Sequence, residues 1–136
     1  MGAAEAIAVE AAPEEPHPTA AVRKVLDTLA WEIELAGARC AMLDSVIGGV
    51  IARTPSAERD QLMQSLHAVD LLNQHLHGLA AFSRNLSLQA SARARIPVQA
   101  ALSDLTLGSL AERLATSLGG VERDLPDIDS GDLDLF

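Results

Sequence analysis

Residues 22–50, VRKVLDTLAWEIELAGARCAMLDSVIGGV, carry apolar side chains at alternating spacings of four and three. This repeat keeps the apolar side chains on one face of an α-helix, which is the pattern of helices that pack along their length. We therefore predict a long helix that begins near Thr19, a suitable N-cap, and stops at Arg53-Thr54-Pro55. Its predicted stripe comprises Val22, Leu26, Leu29, Ile33, Ala36, Cys40, Leu43, Ile47 and Val50.

A second long helix is predicted from about Pro55 to Leu86. Thr54 can cap it, and Pro55 suits its first turn, where no backbone N–H is needed. The short connection makes the two helices antiparallel neighbours, so residues 19–86 should form a helical hairpin. Because neither helix covers the other's stripe, we expect a four-helix bundle, closed by dimerisation or by added C-terminal helices. The predicted stripe of this helix comprises Leu62, Leu66, Val69, Leu72, Leu76, Leu79 and Leu86.

The rest of the chain divides by composition. Residues 1–18 are rich in Pro and Glu and are predicted to be disordered. Residues 97–118 are predicted to be helical, divided near Gly108-Ser109 and ended by Gly119-Gly120, so that the helical domain covers 19–118. Residues 119–136 form an acidic tail, which is either disordered or a motif that folds on a partner. We favour the motif, because apolar residues end the tail: Asp132, Leu133, Asp134, Leu135 and Phe136.

The composition favours an all-α protein and excludes several classes of function. Hydrophobic residues make up 49% of the chain but aromatic residues only 2%, and a core of aliphatics and Ala suits closely packed helices. The net charge of −9 lies in the two ends of the chain and leaves the body neutral, which argues against a nucleic-acid partner. No apolar run reaches the length of about 20 residues that a membrane span needs. A single cysteine, Cys40, and a poor match to a signal peptide predict a cytoplasmic protein.

The second helix also carries a polar stripe, formed by His67, Asp70, Gln74 and His77 at spacings of three, four and three. These spacings place all four side chains on one side of the helix. A solvated helix face is the simplest interpretation. A metal site needs more ligands than one helix supplies, and no second cluster of ligands occurs in the sequence, so we predict no metal or cofactor of the protein's own.

The segment Asp70-Leu71-Leu72-Asn73-Gln74 has the form D-x-x-x-Q, midway along the second helix of the predicted hairpin. This segment resembles the motif of the CheZ-type phosphatases, and in size the chain is more similar to their shorter CheT-like relatives. Residues 132–136 are similar to the acidic, Phe-terminated peptide with which that family holds its regulator. The resemblance implies a phosphatase that acts on a phosphorylated CheY-like response regulator.

The resemblance also implies a role for each residue of the motif. Gln74 would hold a water in line with the phosphorus of the aspartyl phosphate, and Asp70 would pair with a lysine beside the regulator's active site. The Mg²⁺ would belong to the partner receiver domain. Two alternatives stay open. The protein could be a non-catalytic helical adaptor, or a histidine phosphotransfer domain with His75 or His77 as the phosphoacceptor.

Overall fold

The computed structural model describes residues 18–119, and within them the chain is mostly helical. Two long helices, α1 and α2, pack against each other as a hairpin, and two short helices, α3 and α4, follow. The predicted helical hairpin is confirmed. Neither long helix, nor any other helix in the described part of the chain, contains an apolar stretch of the length that a bilayer crossing requires. The helices are α1 (Val22–Ile51), α2 (Ser56–Gln89), α3 (Gln99–Ser103) and α4 (Gly108–Leu118).

Two short strands that the sequence analysis missed close the base of the hairpin. Strand β1 (Thr19–Ala21) pairs antiparallel with β2 (Arg95–Pro97). Arg95 strengthens this pairing, because its Nη2 donates to the carbonyl of Thr19 at 2.6 Å and its Nε to the Thr19 hydroxyl at 3.0 Å. The predicted helix start is therefore wrong, since Thr19 lies in a strand and α1 begins at Val22 without a side-chain cap.

The connection between α1 and α2 also differs from the prediction. The Thr54 hydroxyl donates to the carbonyl of Val50 at 2.8 Å, so this residue completes the end of α1 instead of capping α2. Pro55 occupies the N-cap position, and α2 begins one residue later, at Ser56. The connection nevertheless remains short, as the hairpin requires.

The seam, by which we mean the positions where α1 and α2 face each other, is offset from the predicted stripes. Its residues repeat at spacings of four and three, and all are buried or half-buried. Several predicted residues lie outside it, with Leu29, Leu43, Val50, Leu72, Leu79 and Leu86 between 39% and 54% exposed. The seam consists of Leu26, Ala30, Ile33, Gly37, Cys40, Asp44, Ile47 and Ile51 on α1, and Leu62, Leu66, Val69, Asn73, Leu76, Ala80, Ser83 and Ser87 on α2.

Small side chains explain why the seam lies where it does. The residues of α1 and α2 that are most completely buried are small, and Ala30 and Ala80 are 0% and 2% exposed. Two serines reach the backbone of the opposite helix, because Ser83 donates to the Leu26 carbonyl at 2.7 Å and Ser87 to the Arg23 carbonyl at 3.1 Å. Leucines at these positions would hold the two backbones too far apart for either bond.

The two C-terminal helices cover only the base of the hairpin. They form a small core in which Ala20, Val98, Leu102 and Leu114 are buried. Arg113 of α4 makes an ion pair with Glu32 of α1, with 2.8 Å between Nη2 and Oε2. The division before Gly108 agrees with the sequence prediction, and Gly119 ends α4 in the left-handed conformation, with φ of 73°. Most of the hairpin therefore has no third layer within the described residues.

Candidate functional site

One side of the hairpin carries ionisable groups directly beside the seam, and we call it the polar flank. It includes Asp27 and Glu34 on α1 and Asp70, Gln74, His77 and Arg84 on α2, each of which directly follows a seam residue. An ion pair crosses it, because Arg84 donates to the Glu34 carboxylate through Nη2 at 2.6 Å and Nε at 3.0 Å. This hydrogen bond lowers the pKa of Glu34. The pair shows that these positions of α1 and α2 lie on the same side of the hairpin.

Asp70 and Gln74 lie midway along α2, and both are exposed. The structure brings their side chains together, since Gln74 Nε2 donates to Asp70 Oδ2 at 2.8 Å. This pairing follows from the spacing of four residues, which places one side chain a turn above the other. Neither group is covered by α1, so a partner protein can reach both.

Three histidines surround this pair on α2, and all are exposed. His77 is oriented by its own helix, because its Nδ1 lies 2.8 Å from the carbonyl oxygen of Asn73. A carbonyl oxygen only accepts, so Nδ1 carries the proton and Nε2 of the neutral ring holds the free lone pair. His67 lies on the same side as Asp70 and Gln74, whereas His75 lies on the other side of α2.

Asn73, between the two motif residues, points the opposite way and enters the seam. Its Oδ1 is buried, and within residues 18–119 it accepts no hydrogen bond. It fits there because the facing residue is a glycine, and a Cβ on Gly37 would lie 3.2 Å from this oxygen. The sequence analysis missed this buried amide. Asn73 is a heptad core position only in the register of the observed seam, and Asn at such a position is known to fix the register of paired helices.

Of the predicted site residues, Asp70 and Gln74 lie within the part of the chain that the structure describes. The proposed partner-binding residues of the tail, Asp132, Leu133, Asp134, Leu135 and Phe136, lie outside the described residues. Within residues 18–119, no group of three or more His, Cys, Asp or Glu side chains could hold a metal ion.

The fold and site together define a helical-hairpin protein with an exposed carboxylate–amide pair on its second long helix. The chain belongs to the family described as a domain of unknown function (DUF8776), whose model matches residues 18–136. Comparison with curated proteins and with solved structures gives no match.

Proposed function

We propose that this protein is a phosphatase of a phosphorylated CheY-like response regulator. The observation that supports the proposal most directly is the exposed Asp70–Gln74 pair on the polar flank, hydrogen-bonded at 2.8 Å. The two residues are about 6 Å apart along the helix axis, so one docked helix can insert both side chains into a single shallow cleft.

The reaction requires little covalent chemistry from the protein. The oxygen of a water attacks the phosphorus, the bond between phosphorus and the regulator's aspartate oxygen breaks, and the products are free aspartate and inorganic phosphate. The main requirement is a water held in line with the breaking bond. The Gln74 amide can accept a hydrogen bond from this water through Oε1 and donate to a phosphoryl oxygen through Nε2. A carboxylate at this position would repel the phosphoryl group.

The hydrogen bond between Asp70 and Gln74 gives this mechanism a way to respond to docking. In the free protein, one Nε2 hydrogen of Gln74 is held by the Asp70 carboxylate. A lysine of the regulator beside its phosphoaspartate would be the stronger partner for this carboxylate, because a charged donor binds a carboxylate more strongly than a neutral amide donor does. Docking would then release the Gln74 amide toward the phosphoryl group.

The remaining parts of the proposal concern the partner and the setting. A Mg²⁺ held by the receiver domain would neutralise the phosphoryl oxygens, and this protein would need no cofactor of its own. The tail residues 132–136, acidic and ended by Phe136, would hold the regulator while the helix engages. Response regulators act in the cytoplasm, and we place this protein there.

The proposal is tested by the rate of phosphate loss from a phosphorylated receiver. We expect Gln74→Ala to lower the stimulated rate by about a hundredfold, because the positioning of water is lost. Regulator binding should change by less than about threefold, since the tail and the rest of the helix still engage. Gln64→Ala, at an exposed position of α2 outside the polar stripe, is the matched control and should keep full activity. An unchanged rate in Gln74→Ala would contradict the proposal.

A histidine phosphotransfer domain is the second candidate, and one observation favours it. The Nδ1 of His77 donates to its own helix, so its Nε2 lone pair faces outward as a nucleophile would. Incubation with a phosphorylated receiver separates the classes. A phosphatase releases inorganic phosphate repeatedly. A phosphotransfer domain itself acquires an acid-labile phosphohistidine, which His77→Gln abolishes. An adaptor binds the receiver with neither effect.

A further inference from the structure

A groove lies at the base of the hairpin, between the first turns of α1 and the end of α4, and we call it the basal groove. Its lining includes Arg23, Lys24, Thr28 and Trp31 of α1 and Ser117 of α4, and its volume is about 450 Å³. Trp31 is the only tryptophan of the chain and is 61% exposed. A concave surface lined by an aromatic ring and a few polar groups is typical of a binding site.

The basal groove carries positive charge that the described residues do not neutralise. Arg23 and Lys24 are exposed, and neither belongs to the ion pairs found within residues 18–119. The Nε of Arg23 donates to the Ala90 carbonyl at 2.7 Å, which positions the guanidinium but leaves its charge unpaired. Asp27 also lines the groove, so two cationic side chains lie there beside one carboxylate. The groove therefore favours an acidic occupant.

The chain that follows α4 begins at the basal groove. Ser117 lies two residues before Gly119, where the described part of the chain ends. Residues 120–128 span up to about 30 Å when extended, whereas the groove is about 12 Å long from Arg23 to Trp31. This segment therefore reaches the whole groove while α4 stays in place.

Residues 121–128, VERDLPDI, match the basal groove in chemistry. The segment contains three carboxylates and one arginine, and carboxylates are strong acceptors for the unpaired cations of the groove. Leu125 and Ile128 are apolar and can cover the exposed ring of Trp31. Pro126 limits the conformations of the free segment, which lowers the entropy lost on binding.

We propose that residues 121–128 bind in the basal groove of the same chain. Carboxylates of the segment pair with Arg23 and Lys24, and Leu125 packs on Trp31. The covalent connection holds the segment at an effective concentration in about the millimolar range, so a few such contacts suffice. The proposal concerns the first half of the tail, leaves residues 132–136 free, and does not rest on the proposed phosphatase activity.

The other acidic end of the chain is less well placed for the basal groove. Strand β1 reaches the groove at Ala21, whereas residues 1–17 join the fold before Pro18. The Pro18 carbonyl accepts from the Val98 N–H at 3.3 Å, which continues the pairing of β1 with β2 in the direction away from α1. Residues 1–17 are therefore attached about 10 Å from Ala21, at the opposite end of β1.

The fluorescence of Trp31 tests the proposal in the full chain, because the sequence contains no other tryptophan and no tyrosine. The measured quantities are the emission maximum and the quenching constant for acrylamide, a neutral quencher. A triple tail variant with Glu122→Gln, Asp124→Asn and Asp127→Asn should release the segment. Its emission should move to longer wavelength, and its quenching constant should rise about twofold as the ring is uncovered. A variant with Asp132→Asn and Asp134→Asn is the matched control and should behave as wild type.

Lys24→Glu tests the groove side of the same contact and should give the same rise in the quenching constant. Arg39→Glu is the matched control, because Arg39 is also exposed on α1 and lies about 22 Å farther along the helix. Adding Lys24→Glu to the triple tail variant should cause no further rise, since the contact is already lost. Circular dichroism of each variant verifies that helicity is retained.

Three results would overturn the proposal. One is an unchanged quenching constant in the triple tail variant, which would leave the basal groove open to a partner outside the chain. The second is an equal rise in a variant with Glu14→Gln and Glu15→Gln, which would make residues 1–17 the occupant. The third is a wild-type quenching constant that falls as the protein concentration rises from about 1 to 100 μM, because the tail of another copy would then fill the groove.

Discussion

Asn73 is the residue whose position is hardest to reconcile with packing alone. It occupies the centre of the seam, and its Oδ1 is buried without a partner among residues 18–119. A buried acceptor without a hydrogen bond costs about 1–3 kcal/mol. Gly37 reduces the steric cost, because the absence of a Cβ leaves room for the amide. The residue also determines how the neighbouring motif points, since a seam position for Asn73 turns Asp70 and Gln74 outward.

We expect Asn73→Leu to stabilise the fold, because Leu branches at Cγ as Asn does, Gly37 leaves space beside this branch, and no acceptor is left unpaired. The gain should be about 1–2 kcal/mol in urea unfolding. Asn85→Leu is the control, at an exposed position of the same helix, and should change stability by less than about 0.5 kcal/mol. A loss of stability in Asn73→Leu would contradict the view that the unpaired oxygen weakens the seam.

At the scale of the helices, periodicity predicted the hairpin but not its seam. About half of the predicted residues on each helix lie in the seam, such as Ile33 and Leu76, and most of the others lie one position before a seam residue. The structure instead buries the stripe with small residues, as at Ala80 and Ser83, because close approach of the backbones allows more contacts and two serine hydrogen bonds. Hydrophobicity ranks Leu72 and Leu79 above these residues, so a reading by hydrophobicity misplaces part of the stripe of α2.

Other elements depend on contacts that are distant in sequence. The strands β1 and β2 are three residues each. Their paired residues, such as Thr19 and Pro97, are far apart in sequence and meet only when the hairpin has folded. No local pattern indicates such a short pairing. The candidate site was easier to predict, because Asp70 and Gln74 are four residues apart and such residues are neighbours on any α-helix. The buried Asn73 between them could not be predicted without the correct seam.

The close seam leads to a prediction for α2. Ala80→Leu should destabilise the hairpin by about 2 kcal/mol, because the register of the serine bonds places Ala80 opposite Ala30 and leaves no volume for three added carbons. Ala81→Leu, at the next and exposed position, should have little effect. Thermal unfolding followed by circular dichroism measures both. Equal stability of the two variants would contradict the close approach of the helices.

The base of the hairpin links the chain before α1 to the chain after α2. The sheet, the small core and the Arg23 Nε bond to the Ala90 carbonyl at 2.7 Å all lie there. The far end has no such support among the described residues, and the apolar side chains of Val46 and Val50 are exposed there. The part of α1 and α2 that α3 and α4 do not reach should therefore open first when the chain unfolds.

The ion pair between α4 and α1 makes the base sensitive to acid. Hydrogen bonds from Arg113 lower the pKa of Glu32, and burial opposes this only in part. A lowered pKa means that the folded state holds fewer protons than the unfolded state, so the pair stabilises the fold above the ordinary Glu pKa. The contribution is lost as the pH falls through the lowered pKa.

We expect Glu32→Gln to be less stable than wild type at neutral pH and to lose less stability on acidification. Urea unfolding at neutral pH and at about pH 3, at one protein concentration, measures the difference. Glu112→Gln, at an exposed position of α4, should keep the wild-type pH dependence. If Glu32→Gln also keeps it, the ion pair does not hold α4 on the hairpin.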